Sequence, residues 1–337
     1  MANDGNTALW MAAAKGSVEN VRYFLEMGYE VDELNLLQDI HGFTALGAAI
    51  YRSNLGIIRE LLKWNASVEI RSGSRDYTLL HKACSRNGVD VVGLLLTSHP
   101  NLEVQEIRGY TPLHTAVETN RPDTVSLLIN AGANIESQSG RGYTPLHCAV
   151  ETNRPETVSL LINAGANIDS QSGRGYTPLH CAVYRGNLNM VDLLIESGAE
   201  LDRKSDTGYT PLHYATSMGY TEVVEMLLQQ GANINSESDG SYTPLHCAAG
   251  MGNLDILWVL LRHKPNIYAE TEEGLTPLKM AVMHEQTRTA AILRDSIRAN
   301  MVAFAMGLHP ALGKGSSVHK LDDEMMRMVL SNINGQE

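Results

Sequence analysis

Aromatic residues make up 6% of the chain, with only 3 Phe and 3 Trp, and the 26 Lys and Arg are outnumbered by 38 Asp and Glu, for a formal charge of −12. A basic surface studded with stacking rings is what single-stranded or duplex nucleic acid requires, so nucleic acid is excluded as the expected partner class. No stretch approaches 18 consecutive apolar residues, and the opening MANDGNTALW has no basic segment leading into an apolar core. Neither a membrane span nor a secretory leader is expected. Cysteine is scarce, at 4 residues with no CxxC pair, which removes the zinc-ribbon and redox-motif readings. Catalytic signatures are missing too. GLHPALGK (307–314) has five residues between its first glycine and the GK pair, and glycine follows, so it fails as a phosphate loop. No nucleophile elbow, HExxH or paired-carboxylate pattern occurs, so no catalytic residue, metal site or cofactor is assigned.

The chain does have a period. Residues 109–141 read GYTPLHTAVETNRPDTVSLLINAGANIESQSGR, and 142–174 repeat them with only Thr115, Asp123 and Glu136 replaced, by Cys148, Glu156 and Asp169. Residues 175–207 repeat the frame more loosely. Thr7, Thr44, Thr78, Thr111, Thr144, Thr177, Thr210, Thr243 and Thr276 mark equivalent positions, spaced 37, 34 and then 33. The nine units run approximately 5–41, 42–75, 76–108, 109–141, 142–174, 175–207, 208–240, 241–273 and 274–306.

Local chemistry builds each unit. The Thr111 hydroxyl can accept from the unpaired amides of a first turn, and Pro112 suits the first helical position. Ala116 and Val117 keep the first helix slim. Pro122 opens a second helix, where Val125, Leu128 and Ile129 recur at helical spacing beside Leu127, and Gly132 supplies a left-handed terminus. The polar stretch 133–142 then projects as a hairpin-like finger. Each unit leaves apolar surface on both sides, so neighbours must stack, and the end units, with TALW and TPLK in the TPLH slot, read as caps.

A period of 33 with TPLH opening each unit and GA closing its second helix resembles the ankyrin repeat. That resemblance covers residues 5–306 and implies an all-α solenoid of helix-turn-helix units in one elongated domain. It also implies that finger tips and first-helix ends line a concave groove where a partner protein docks. Carried to matching positions, the groove residues are Arg108, Tyr110, Glu118, Arg141, Tyr143, Glu151, Arg174, Tyr176, Tyr184, Arg185, Tyr209 and Tyr242. Tyrosine flanked by arginine has the composition of binding hot spots. The alternative is that each ring packs on its neighbouring finger.

His81, His114, His147, His180, His213 and His246 recur once per unit. Residues a repeat apart cannot converge within the roughly 2 Å of one ion that ligation needs. Each imidazole is therefore expected to bond within its own unit, near the threonine hydroxyl and the preceding finger. Cys148, Cys181 and Cys247 share one frame position, which sets neighbours roughly 8 to 10 Å apart, too far for the ~4.4 to 6.8 Å between α-carbons of a disulfide. With Cys84 they read as buried thiols in a reducing compartment, the cytoplasm or nucleus.

Beyond 306, LDDEMMRMVLSNI (321–333) is an amphipathic helix carrying Leu321, Met325, Met326, Val329 and Leu330 on its apolar side. It either folds back as a further cap or resembles the opening helix of an F-box, with Asp322 where that motif has proline. Three functions follow: a monomeric, non-catalytic protein-binding scaffold, a ubiquitin-ligase adaptor recruiting through this tail, or an inhibitor that occludes an enzyme.

Overall fold

The computed structural model describes residues 4–32, 44–86 and 88–305. The tail residues Leu321, Met325, Met326, Val329 and Leu330 lie outside these. Among the described residues the architecture is all-α: eighteen helices and one two-stranded ladder. Contacts cluster into two compact bodies, residues 1–182 with 196–199, and residues 183–195 with 200–337.

In the first body the first helices of successive repeats are α1 (Asp4–Lys15), α3 (Ala45–Tyr51), α5 (Leu79–Arg86), α7 (Pro112–Glu118) and α9 (Pro145–Glu151). Each packs on the next, and the second helices α2 (Val18–Glu26), α4 (Leu55–Lys63), α6 (Val89–Leu96), α8 (Pro122–Asn130) and α10 (Pro155–Asn163) do likewise. Helices α11 (Pro178–Tyr184) and α12 (Leu188–Glu196) follow. The second body repeats the scheme, with α13 (Pro211–Met218), α15 (Pro244–Met251) and α17 (Pro277–Met283) beside α14 (Thr221–Gln229), α16 (Leu254–Arg262) and α18 (Thr287–Ala305). The core is the inner stripe of each helix: Ala116, Val117, Val125 and Leu128 are fully buried, whereas Leu127 and Ile129 are half-buried at the interface edge. Helices of seven to nine residues are too short to persist alone in water, so this burial against neighbours is what holds them.

Threonine caps the first helix as expected at Thr44, Thr111, Thr144, Thr210, Thr243 and Thr276. The first repeat departs from this. Thr7 lies inside α1, which begins at Asp4; the missing proline is not the reason, since Ala45 follows Thr44, which still caps α3. The fingers differ from the hairpin expectation as well. Only β1 (Arg71–Ser72) and β2 (Tyr77–Thr78) form a ladder among the described residues, in the finger whose 34-residue spacing leaves an extra residue. Elsewhere the finger closes through tight turns, with Ser139 N–H donating to the Tyr143 carbonyl at 2.9 Å and Gly142 N–H to Ser139 at 2.8 Å.

Fingers also touch one another through backbone. Gly140 N–H donates to the Arg108 carbonyl at 2.9 Å and Gly173 N–H to Arg141 at 3.0 Å. This requires Gly142, at φ +72°, to sit where a Cβ would fall 2.3 Å from the Gly173 nitrogen. Gly165, at φ +93°, ends α10 with open space around it. Gly142→Ala therefore combines left-handed strain with a backbone collision and should destabilise by about 3 kcal/mol, whereas Gly165→Ala should cost only the strain, about 1 kcal/mol. Urea melts of the two variants check the difference.

Candidate functional site: the histidine ladder and the first-helix ends

The TPLH histidines form a chain of bridges. The Thr111 amide donates to His114 Nδ1 at 3.3 Å, and Nε2 lies 2.8 Å from the carbonyl of Tyr143, 29 residues on. A backbone amide can only donate and a carbonyl only accept, so the ring is the neutral tautomer with its proton on Nε2. His81 reaches the Tyr110 carbonyl, His147 that of Tyr176, His213 that of Tyr242 and His246 that of Leu275, at 2.8 to 2.9 Å. The expected bond to the threonine hydroxyl is present, with Thr111 Oγ1 2.9 Å from His114 Nδ1, whereas the expected preceding finger is corrected to the following repeat. One nitrogen serves the repeat's own cap, and the other ties it to the repeat that follows.

Burial pushes His114 and His213 down to about 4, and lowers His81, His147 and His246 in the same direction. The unfolded chain takes up these protons near pH 6.5 while the folded chain refuses them. Stability is therefore intact above that pH and lost as pH falls toward 4, by at most about 1.4 kcal/mol per pH unit for each histidine. Urea melts across this window should show the slope, and His114→Gln, which offers an amide N–H but no titrating group, should reduce it by one proton.

The tyrosines belong to the same scaffold. Tyr110, Tyr143 and Tyr209 stack on the histidine of their own repeat with ring centroids 5.1 to 5.3 Å apart. Tyr176 is tilted over His180 at 5.9 Å, and Tyr242 meets His246 edge-on at 6.0 Å. All five rings are half-buried. The phenols of Tyr110, Tyr143 and Tyr209 lie close enough to Cys148, Cys181 and Cys247 on the next repeat to feel their thiols, and burial raises all three phenols. Burial pushes the Cys148 thiol up to about 12 and raises Cys84 and Cys247 too, so these sulfurs are packing groups, unreactive at neutral pH. Arg108 is similarly engaged: its guanidinium forks onto Glu118 at 2.8 and 2.9 Å and lies 4.2 Å from the Tyr110 ring centre. Glu106, which sequence reasoning passed over, is buried and accepts from the Arg108 and Tyr110 amides, the role Ser139 plays for Tyr143.

Of the remaining assigned residues, Arg141, Arg174, Tyr184 and Arg185 are exposed and Glu151 is half-buried. Tyr184 and Arg185 close α11, at the two frame positions that end every first helix. Those positions read Tyr51 and Arg52, Ser85 and Arg86, Glu118 and Thr119, Glu151 and Thr152, Tyr184 and Arg185, Ser217 and Met218, Gly250 and Met251, Met283 and His284. Twelve large hydrophobic side chains are exposed among the described residues, and five of them, Tyr51, Tyr184, Met218, Met251 and Met283, fall at just these two positions. In the first body the ends of α1, α3, α5 and α7 also line a cavity of about 710 Å³. Carrying the frame to units two and three would have found Tyr51, Arg52 and Arg86; the sequence reading took only the middle units. No group of three or more His, Cys, Asp or Glu among the described residues is arranged to hold a metal, and no described helix is long and apolar enough to cross a membrane.

A family model for ankyrin repeats (3 copies) matches residues 1–72, 80–172 and 156–238, and one for ankyrin repeats (many copies) matches 227–281. The chain belongs to the ankyrin-repeat family, whose members are in general non-catalytic interaction modules, and this makes it a protein-interaction scaffold by class. No curated protein matches the sequence. Among solved structures, the ankyrin repeat domain of Bcl-3, described as a unique member of the IkappaB protein family, is 30% identical with a TM-score of 0.60, over 66% of this chain and 100% of that one.

Tyr143→Ala removes a half-buried ring that spans two repeats and should destabilise by about 2 to 3 kcal/mol, Tyr143→Phe by under about 1, and Tyr184→Ala by no more than about 0.5. Thermal melts of the three variants decide between a structural and a solvent-facing ring at each position.

Proposed function

We propose that the chain is a monomeric, non-catalytic scaffold that holds a partner protein on the ends of its first helices and acts in a reducing compartment, the cytoplasm or nucleus. The observation that carries this is the concentration of exposed tyrosine and methionine at two frame positions whose neighbours hardly vary. Inside a repeat the frame spends its apolar residues on stacking, and nothing in the fold needs a bulky apolar group at these tips. Tyr, Met and Arg are the residue types enriched where protein surfaces meet, and methionine adapts to irregular partners. The buried tyrosines and Arg108 are assigned to the scaffold, and recognition to Tyr51, Tyr184, Arg185, Met218, Met251 and Met283.

Affinity purification followed by mass spectrometry tests this with two full-length variants. Replacing Tyr51, Tyr184, Met251 and Met283 with Ser should remove the co-purifying partner and leave the melt nearly unchanged. Replacing Tyr23 and Trp258, exposed on second helices, should leave both the partner and the melt as they were. Retention of the partner by the first variant, or its loss from the second alone, overturns the assignment.

A further inference from the structure

The groove of the first body has a charge opposite to that of the chain. Its lining includes Arg52, Arg75, Lys82 and Arg86 against the single carboxylate of Glu118, which is already forked onto Arg108. Arg75 donates to the Tyr77 hydroxyl at 3.0 Å, and Arg86 lies 4.7 Å from the Tyr51 ring centre. Arg52, Arg75 and Arg86 form no salt bridge with any carboxylate among the described residues, although the chain carries 38 acidic residues to 26 basic ones. Trp10, Tyr51 and Tyr77 lie along the same lining. The guanidiniums of Arg75 and Arg86, each engaged with a tyrosine, are exposed like that of Arg52 and are arranged to receive anions from outside.

We propose that this groove binds an extended acidic protein segment, in which carboxylates about three residues apart flank an aromatic or aliphatic side chain. The spacing follows from the repeat. Arg52 and Arg86 hold the same frame position one repeat apart, roughly 8 to 10 Å, and an extended chain in the polyproline II conformation advances about 3.1 Å per residue with about three residues per turn, so acids at i and i+3 share a face and meet both. The side chain between them faces Tyr51 and Trp10. A compact lone anion would engage one guanidinium cluster and leave the rings idle. The segment is the partner's, so this rests on the reading of the first-helix ends as a docking face and supplies its chemistry in the first body.

The probe is a short, end-capped, fluorescein-labelled peptide with Glu at every third position and Leu or Phe between, titrated into the full chain and followed by fluorescence polarisation. Binding should weaken steeply with added salt. It should fall at least tenfold in Arg52→Glu with Arg86→Glu, and by a smaller factor in the neutral pair Arg52→Gln with Arg75→Gln, both with melts like that of the parent. A peptide with Lys in place of Glu should not bind. Equal affinity for the parent and charge-reversed chains overturns the proposal, as does displacement of the peptide by inorganic phosphate at constant ionic strength, which would mark a simple anion site. Partner capture separates this from the wider reading. If the charge-reversed chain keeps its partner while the Tyr51, Tyr184, Met251 and Met283 variant loses it, the docking face stands and the acidic segment falls; if both keep it, the docking face falls as well.

Discussion

A neutral imidazole held between two backbone groups is the constraint from which the rest of this structure follows. In His114 one nitrogen accepts from the Thr111 amide and the other points at the Tyr143 carbonyl. A helix cap and a repeat-to-repeat contact thus share one ring. Capping settles where the helix begins, and the same geometry sets the height at which the next finger must cross. The tyrosine whose carbonyl is used lays its own ring on the next histidine. Glycine at 142 is needed because this spacing brings successive fingers into backbone contact. In a chain whose stability is a sum of neighbour interfaces, the recurrence of this bridge at His81, His114, His147, His213 and His246 accounts for a motif repeated with so little variation.

This bridging also gives the tyrosines structural work. A ring that is half-buried and stacked on a neutral histidine contributes to packing before any partner arrives. Arg108 is committed in the same way by Glu118 and the Tyr110 ring. Residues of hot-spot composition can therefore be scaffold, and composition alone does not tell the two apart. What separates Tyr143 from Tyr184 is the frame position: the first precedes the capping threonine, where the next repeat covers it, and the second ends a helix, where nothing from its own repeat does.

Much of the fold was legible because its causes are local. The thirty-three-residue step, the threonine and proline at helix starts and the left-handed glycine at Gly132, φ +92°, each depend on a few adjacent residues. The second partner of each histidine was not legible, since it lies 29 residues away and is a carbonyl, which any residue type supplies. Thr7 was misplaced because the repeat frame was extended to a first repeat whose helix begins at Asp4, ahead of the threonine. The basic groove was hidden by arithmetic: a net charge of −12 is a sum over the whole chain, while a ligand meets only the few side chains around it. Its residues come from four repeats and become neighbours only once the helices stack.

The two bodies place different chemistry on one frame. In the first, the helix ends carry Tyr51, Arg52 and Arg86; in the second, besides Tyr184 and Arg185, they carry Met218, Met251 and Met283, exposed by 44%, 63% and 57%. Guanidinium and phenol select by direction and charge, whereas thioether side chains accept many shapes with little directional preference. Both sets are mounted on helices whose stacking does not depend on them, so either can change without disturbing the bridges beneath. The backbone behind them is already ordered before a partner arrives, and that ordering entropy does not have to be lost on binding. A surface built this way lets affinity be tuned at the tips while the rigidity that makes them effective is supplied by the histidine bridges.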